Sequence, residues 1–297
     1  MQSMTNDNTN ITSFKKDQLD DVNQIIRVNA VEPLDANSVL RAALDHHLLE
    51  TGSQSRAQLT LSTSKALGLS LKNQLYLAAA VECLHNASLI QDDLQDKDTL
   101  RRGQESVWSH FGSNAAINLT DLMIATSFVL LGHVDSKGCL PRLLICMQRA
   151  IALTLQGQSR DLSDDGTTRA VKTSLAVAES KSGPLFALCL ELPLIAASEL
   201  SFLNAAQQAG RFFGAGYQVL DDINDAASDQ ATENSANVVV ALSKVLSAKD
   251  AHYEAQAVAR HYLDRAHRLA ESLPNNCAAL LIEYCVMLSQ NLRESEP

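Results

Sequence analysis

The stretch Leu71–Asp98, LKNQLYLAAAVECLHNASLIQDDLQDKD, decides the fold of this chain. It holds neither Gly nor Pro and shows no period-two alternation, so it reads as one long helix and not as strands. Its longest unbroken apolar run, Leu75 to Val81, is far short of the roughly 18 residues that cross a bilayer. No membrane span is expected. The helix closes on a dense acidic group, Asp92-Asp93-Leu94-Gln95-Asp96.

The rest of the chain agrees with that start. Only 12 Gly and 6 Pro occur in 297 residues, too few for the many turns of a sandwich or barrel. Helices are expected near 36–50, 56–68, 71–98, 114–132, 139–162, 167–190, 198–228, 236–247, 250–272 and 275–293. Breaks fall at polar or Gly-containing clusters such as Gly112-Ser113-Asn114, Asp135-Ser136-Lys137-Gly138, Asp164-Asp165-Gly166 and Pro274-Asn275-Asn276. Residues 1–20, rich in Asn, Thr and Asp, read as a disordered tail. No linker divides the remainder of the chain, so the expected architecture is one all-α domain, 21–297, a bundle of about ten helices. A net charge of −10 argues against nucleic acid as a partner. The polar N-terminus has no secretory pattern, and the six cysteines form no CxxC pair. Both facts point to a cytoplasmic protein with reduced, buried cysteines.

A second acidic group, Asp221-Asp222-Ile223-Asn224-Asp225, repeats the DDxxD form of the first. On a helix, positions i and i+4 share a face about 6 Å apart, so the outer acids of each group point the same way. Carboxylates this close repel one another, and oxygen-only ligands suit a hard cation such as Mg²⁺. Each group also closes a helix, where acids oppose the macrodipole and a cation compensates. Two such groups facing each other would clamp a diphosphate through shared metals.

These residues resemble the trans-type isoprenyl diphosphate synthases, the polyprenyl synthetase family. The likeness extends through His85 to Gly103 (HNASLIQDDLQDKDTLRRG), Phe111-Gly112, Asp121, Gly157-Gln158 with Asp161, Lys181-Ser182-Gly183, and Gly214 to Asp225 (GAGYQVLDDIND). It implies the type I isoprenoid synthase fold, helices around a central cavity, in a homodimer. It implies three Mg²⁺ ions that draw an allylic diphosphate into ionisation, and attack of the resulting cation by isopentenyl diphosphate. The implied metal ligands are Asp92, Asp93, Asp96, Asp221, Asp222 and Asp225. Arg101 and Lys181, with Ser182 and Gln218, would hold the allylic diphosphate. Arg56, His85 and Arg102 would face isopentenyl diphosphate. Leu84, Ala87 and Ser88 would set chain length; Ala87 and Ser88 are small, so a product of twenty carbons or more is expected. His46, His47, His252, His261 and His267 read as surface or helix-face residues.

The sequence departs from the family in two places. Upstream, where GGKRxRP is usual, it has Thr51-Gly52-Ser53-Gln54-Ser55-Arg56-Ala57, so Ser53 replaces a lysine and Gln54 an arginine. After the second acidic group, residues 226–240 hold no Lys or Arg, and Val238 stands where a lysine is common; Lys244 is the nearest candidate. Three readings stay open: elongation with isopentenyl diphosphate, ionisation and cyclisation or elimination without it, and a non-catalytic subunit modulating a true synthase.

Overall fold

The computed structural model describes residues 16–135, 138–162, 171–231 and 237–294, with the side chains of 161–162, 171–172, 227–231 and 293–294 left aside. It divides into two compact units, residues 1–144 and 145–297. Among the described residues there are twelve α-helices, two short 3₁₀ turns and one two-residue hairpin.

The first unit holds α1 (Lys16–Val31), α2 (Val39–His47), α3 (Ser55–Ala66), α4 (Leu71–Asp96), the hairpin β1 (Leu100–Arg101) and β2 (Gln104–Glu105), α5 (Val107–Phe111) and α6 (Ser113–Gly132). Ser70 starts α4 by accepting the Asn73 N–H, and Lys97, at φ 63°, ends it. Between them α4 runs through the heart of the unit, packed on α1, α3, α5 and α6. Ala78, Ala79, Ala80 and Val81 are wholly buried, as their unbroken apolar run requires. α6 has the length and hydropathy of a membrane span, but half of that window is buried and the helix lies on α4, so it reads as a core helix.

The second unit holds most of α7 (Leu140–Leu162), then α8 (Val171–Ala196), α9 (Leu203–Ala231), α10 (Val238–Ser243), α11 (Ala248–Glu271) and α12 (Ala279–Glu294). α9 packs on both α8 and α11. The α8–α9 approach needs glycine. A Cβ on Gly214 would stand 2.6 Å from the Gly183 Cα, and one on Gly210 would stand 2.3 Å from the Ala187 Cα. Gly157 of α7 likewise approaches the Ser180–Lys181 backbone of α8.

The all-α expectation holds, with corrections. α1 begins at Lys16, inside the stretch expected to be a disordered tail. Val22, Ile26 and Ala30, spaced i, i+4, i+8, are wholly buried and fix it as a helix. Residues 1–15 and the Asp164-Asp165-Gly166 break lie outside the described residues. α2 is shorter than the expected 36–50: Ser38 caps it, and it ends at His47. All six cysteines are buried thiols.

Candidate active site

One face of α4 carries Glu82, His85, Asn86, Leu89 and Asp93, at i, i+3, i+4, i+7 and i+11. All are buried. Buried polar side chains require partners, and the first unit supplies three arginines. Arg56 Nη1 donates to His85 Nε2 at 3.1 Å. Arg101 donates to Asp93 Oδ1 through Nε at 2.8 Å and through Nη2. Arg102 Nη1 donates to the Glu50 carbonyl at 2.6 Å.

The hairpin aims the arginine pair. Leu100 pairs with Glu105 and Arg101 with Gln104, which leaves Arg102 and Gly103 as the two turn residues. Both have positive φ, 54° and 85°, as a tight two-residue hairpin turn demands. Gly103 adopts this freely; for Arg102 it costs roughly 1–3 kcal/mol, the sort of strain found at functional sites. Its guanidinium lies over Gly52, where a Cβ would meet Nη2 at 2.8 Å. The hairpin base is held by the Asp98 carbonyl, which accepts from Ser106 Oγ at 2.6 Å and Trp108 Nε1 at 2.8 Å.

Burial sets the charges on this face. It drives His85 well below the usual histidine range, with Arg56 and Arg102 adding to the effect. It lowers His47 to about 3, again with Arg102 contributing. Both rings are therefore neutral. Burial lifts Glu82 above the usual carboxylate range, against the opposing pull of Arg56. It lifts Asp93 too, even with Arg101 on one oxygen. The other oxygen, Oδ2, is buried with no hydrogen-bond donor among the described residues.

The sequence reading places His47 at the surface or on a helix face. It is buried instead, with Nε2 donating to Asn86 Oδ1 at 3.0 Å. Sequence reasoning misses Glu82 and Asn86 as well. Their signal is a run of polar positions on one helical face, overshadowed by the aspartates beside them. His46 is only half-buried, stacked on His110 and bonded to the Glu105 carbonyl at 2.7 Å.

In the second unit, Ser182 Oγ donates to Gln218 Oε1 at 2.8 Å, and Gln218 Nε2 donates to Asp222 Oδ1 at 3.2 Å. Asp222 Oδ2 accepts the Val238 N–H at 2.9 Å, and the Asp222 carbonyl accepts from Asn237 Nδ2 at 2.8 Å. Asp222 thus joins α8, α9 and α10. Both its carboxylate oxygens accept from protein donors, one each, which leaves each a further lone pair. The Val238 side chain is wholly buried, so its position belongs to the core, and Lys244 stands beyond the end of α10. Lys181 is half-buried. The Asp161 side chain lies outside the described residues.

The two motifs share a pattern. The second acid of each, Asp93 or Asp222, is buried and engaged by protein groups. The first and last, Asp92 and Asp96 or Asp221 and Asp225, are half-buried and exposed respectively. Among the described residues no three His, Cys, Asp or Glu side chains already converge as a metal cage. Mg²⁺ does not need one: it takes one or two carboxylates and completes its shell with water and phosphate. An all-oxygen donor set, and the donorless Oδ2 of Asp93, fit such an ion. Leu84 and Ala87 are buried on α4, and Ser88, half-buried, donates to the His85 carbonyl at 2.7 Å.

The polyprenyl synthetase family model matches residues 37–237. The geranylgeranyl diphosphate synthase of Pantoea ananas is 30% identical over 70% of this chain and 72% of its own length. The farnesyl diphosphate synthase of Geobacillus stearothermophilus is 26% identical, over 78% of this chain and 84% of that protein. In fold, the chain is similar to the geranylgeranyl pyrophosphate synthetase of Pyrococcus horikoshii, with a TM-score of 0.80 at 22% identity, covering 93% of this chain and 96% of the other.

Proposed function

This chain belongs to the polyprenyl synthetase family and is a prenyltransferase; we propose that it joins an allylic prenyl diphosphate to isopentenyl diphosphate in a Mg²⁺-dependent reaction. The observation that carries this reading is the polar face of α4, on which three arginines and two neutral histidines gather beside the first acidic group. That is an anion site next to a cation site, the pairing that a metal-bound diphosphate needs.

The C–O bond of the allylic diphosphate breaks and its electron pair leaves with the diphosphate. The double bond of isopentenyl diphosphate then forms the new C–C bond, and a proton is lost to the departed diphosphate. Bound Mg²⁺ would neutralise the charge growing on that leaving group. Asp92, Asp96 and the donorless Oδ2 of Asp93, and Asp221 with Asp225, are the residues that would hold it. Arg101 stays on Asp93 and turns its remaining N–H groups to the same anion, with Lys181 as a further cation; stabilising a developing charge with fixed donors is the main work such a site does. Arg56, His85 and Arg102 bind the second diphosphate. Ser182, Gln218 and Asp222 position α9 against α8 and α10.

Product length of twenty carbons or more rests on the small side chains of Ala87 and Ser88. A homodimer is proposed from the family resemblance alone. Sedimentation should then give twice the 32.1 kDa of one chain, and a monomer would refute it.

The test is to incubate the protein with Mg²⁺ and geranyl, farnesyl or geranylgeranyl diphosphate, with and without isopentenyl diphosphate. Longer diphosphates that form only with isopentenyl diphosphate are the expected result. A second reading, ionisation without that partner, is favoured by Ser53 standing exposed where the family has a lysine. Hydrocarbons or alcohols formed in its absence would establish that reading instead.

A further inference from the structure

α3 begins without a cap of its own. Gln54 precedes it at φ 49° and makes no side-chain capping bond; its amide instead donates to Asn23 Oδ1 at 3.0 Å. The buried Ala57 N–H is satisfied from across the unit, by Glu82 Oε2 of α4 at 3.2 Å. Glu82 therefore fixes where α3 starts, and with it Arg56, the second residue of that helix. The same carboxylate faces the charges of Arg56 and Arg102. A guanidinium can only donate, so the 3.1 Å contact from Arg56 makes His85 Nε2 an acceptor. The one ring hydrogen of the neutral imidazole then sits on Nδ1. That atom is buried in a side chain 9% exposed, and it has no acceptor among the described residues. A buried N–H without an acceptor is costly to a fold, and it points to an acceptor brought by a ligand.

We infer that Glu82 is a positioning residue for the isopentenyl diphosphate site, acting through the start of α3 and Arg56, and that the Arg56 contact holds His85, which the family resemblance already assigns to this site, in its Nδ1–H tautomer. Glu82 itself touches no substrate. The inference rests on the elongation reading, in which Arg56, His85 and Arg102 meet the second diphosphate.

Steady-state kinetics of Glu82→Ala and Glu82→Gln test it. Glu82→Ala should raise KM for isopentenyl diphosphate at least tenfold while KM for the allylic substrate changes less than threefold. Glu82→Gln keeps an acceptor for the Ala57 N–H but not the charge, so a smaller rise is expected, and it carries the test if the alanine variant does not fold. Equal rises in both KM values, or no rise in either, overturn the inference. Nitrogen-15 NMR of the histidine rings in the wild-type protein should find the Nδ1–H tautomer at His85; the Nε2–H tautomer overturns its part. If the wild type proves not to consume isopentenyl diphosphate, the elongation reading fails by itself. Calorimetric titration with inorganic pyrophosphate then decides the inference: weaker binding to Glu82→Ala than to wild type supports it, and equal binding overturns it.

Discussion

Asp93 and Asp222 stand second in their motifs, and the fold treats them alike. Each is buried and held by protein donors, Arg101 for one and Gln218 with the Val238 N–H for the other. The proposed cation would draw chiefly on the first and last acids of each motif. Asp92→Ala and Asp221→Ala should therefore each abolish turnover while circular dichroism stays that of the wild type; a variant that keeps normal turnover would remove the metal role proposed for its residue. Asp222→Asn should behave differently. It loses one acceptor where two donors are waiting, so it should cost about 1–3 kcal/mol of stability and reduce activity less than Asp221→Asn does. If chemical denaturation finds no loss, the α8–α9–α10 linkage assigned to Asp222 is wrong. His47 allows a test by pH. Its folded value is lowered to about 3, so between that value and its unfolded one near 6.5 the unfolded chain binds more protons than the folded one. The stability from its neutral burial is full above pH 6.5 and is lost as pH falls toward 3, by about 2 kcal/mol at pH 5. His85, lowered for the same reason, adds in the same sense. Glu82, whose value is raised, works in the opposite sense between its unfolded and folded values. The melting temperature should fall from pH 7 to pH 5, and less steeply in His47→Gln; parallel slopes would show that His47 does not titrate this way.

At the level of elements, α4 was legible from its sequence because the apolar run free of Gly and Pro and the acidic close leave one helical solution. α6 and α9 were legible for similar reasons. α1 was not, because its three buried residues are scattered among Asn and Asp, and composition outweighed spacing. Nor was the hairpin, since two paired residues are too few to show alternation; only Arg102-Gly103 marked it, and an arginine at positive φ is not the usual sign of a turn. The candidate site was legible in the same uneven way. Charged residues flanking a motif announce themselves, whereas Glu82, Asn86 and His47 owe their roles to packing between α2, α3 and α4, which no local pattern records. Two outcomes belong to this scale. Ala87 is 1% exposed on α4, so Ala87→Phe has to push its bulk into space the growing prenyl chain is proposed to use, and chromatography of the products should show shorter chains. An unchanged spectrum would place chain-length control elsewhere. Gly214→Ala sets a methyl 2.6 Å from the Gly183 Cα. The α8–α9 pair must separate, at a cost of about 1–3 kcal/mol, and a denaturation midpoint equal to wild type would mean that this approach relaxes freely.

For the whole molecule, the two acidic motifs lie in different units, Asp92–Asp96 in the first and Asp221–Asp225 in the second. A ligand held by only one of them stabilises that unit's fold alone. A metal–diphosphate complex that draws on both links the stability of the units by mass action, since it binds the native chain and not the unfolded one. With Mg²⁺ and inorganic pyrophosphate at about a hundred times the dissociation constant, that linkage amounts to about 2.7 kcal/mol, or a rise in melting temperature on the order of 5 °C for a chain of this size. Mg²⁺ alone should not produce it, and pyrophosphate alone should give only the smaller shift of the Arg56–Arg102 site, because the carboxylates repel the anion until the metal intervenes. The decisive comparison uses single variants. If both motifs act on one diphosphate, Asp92→Ala and Asp221→Ala should each erase most of the shift, and the double variant should lose little more than either. If the motifs bind separately, each single variant keeps about half of the shift and the losses add. Additive losses in a melting experiment would therefore dismantle the shared-diphosphate chemistry without disturbing the family assignment, which rests on residues 37–237 as a whole.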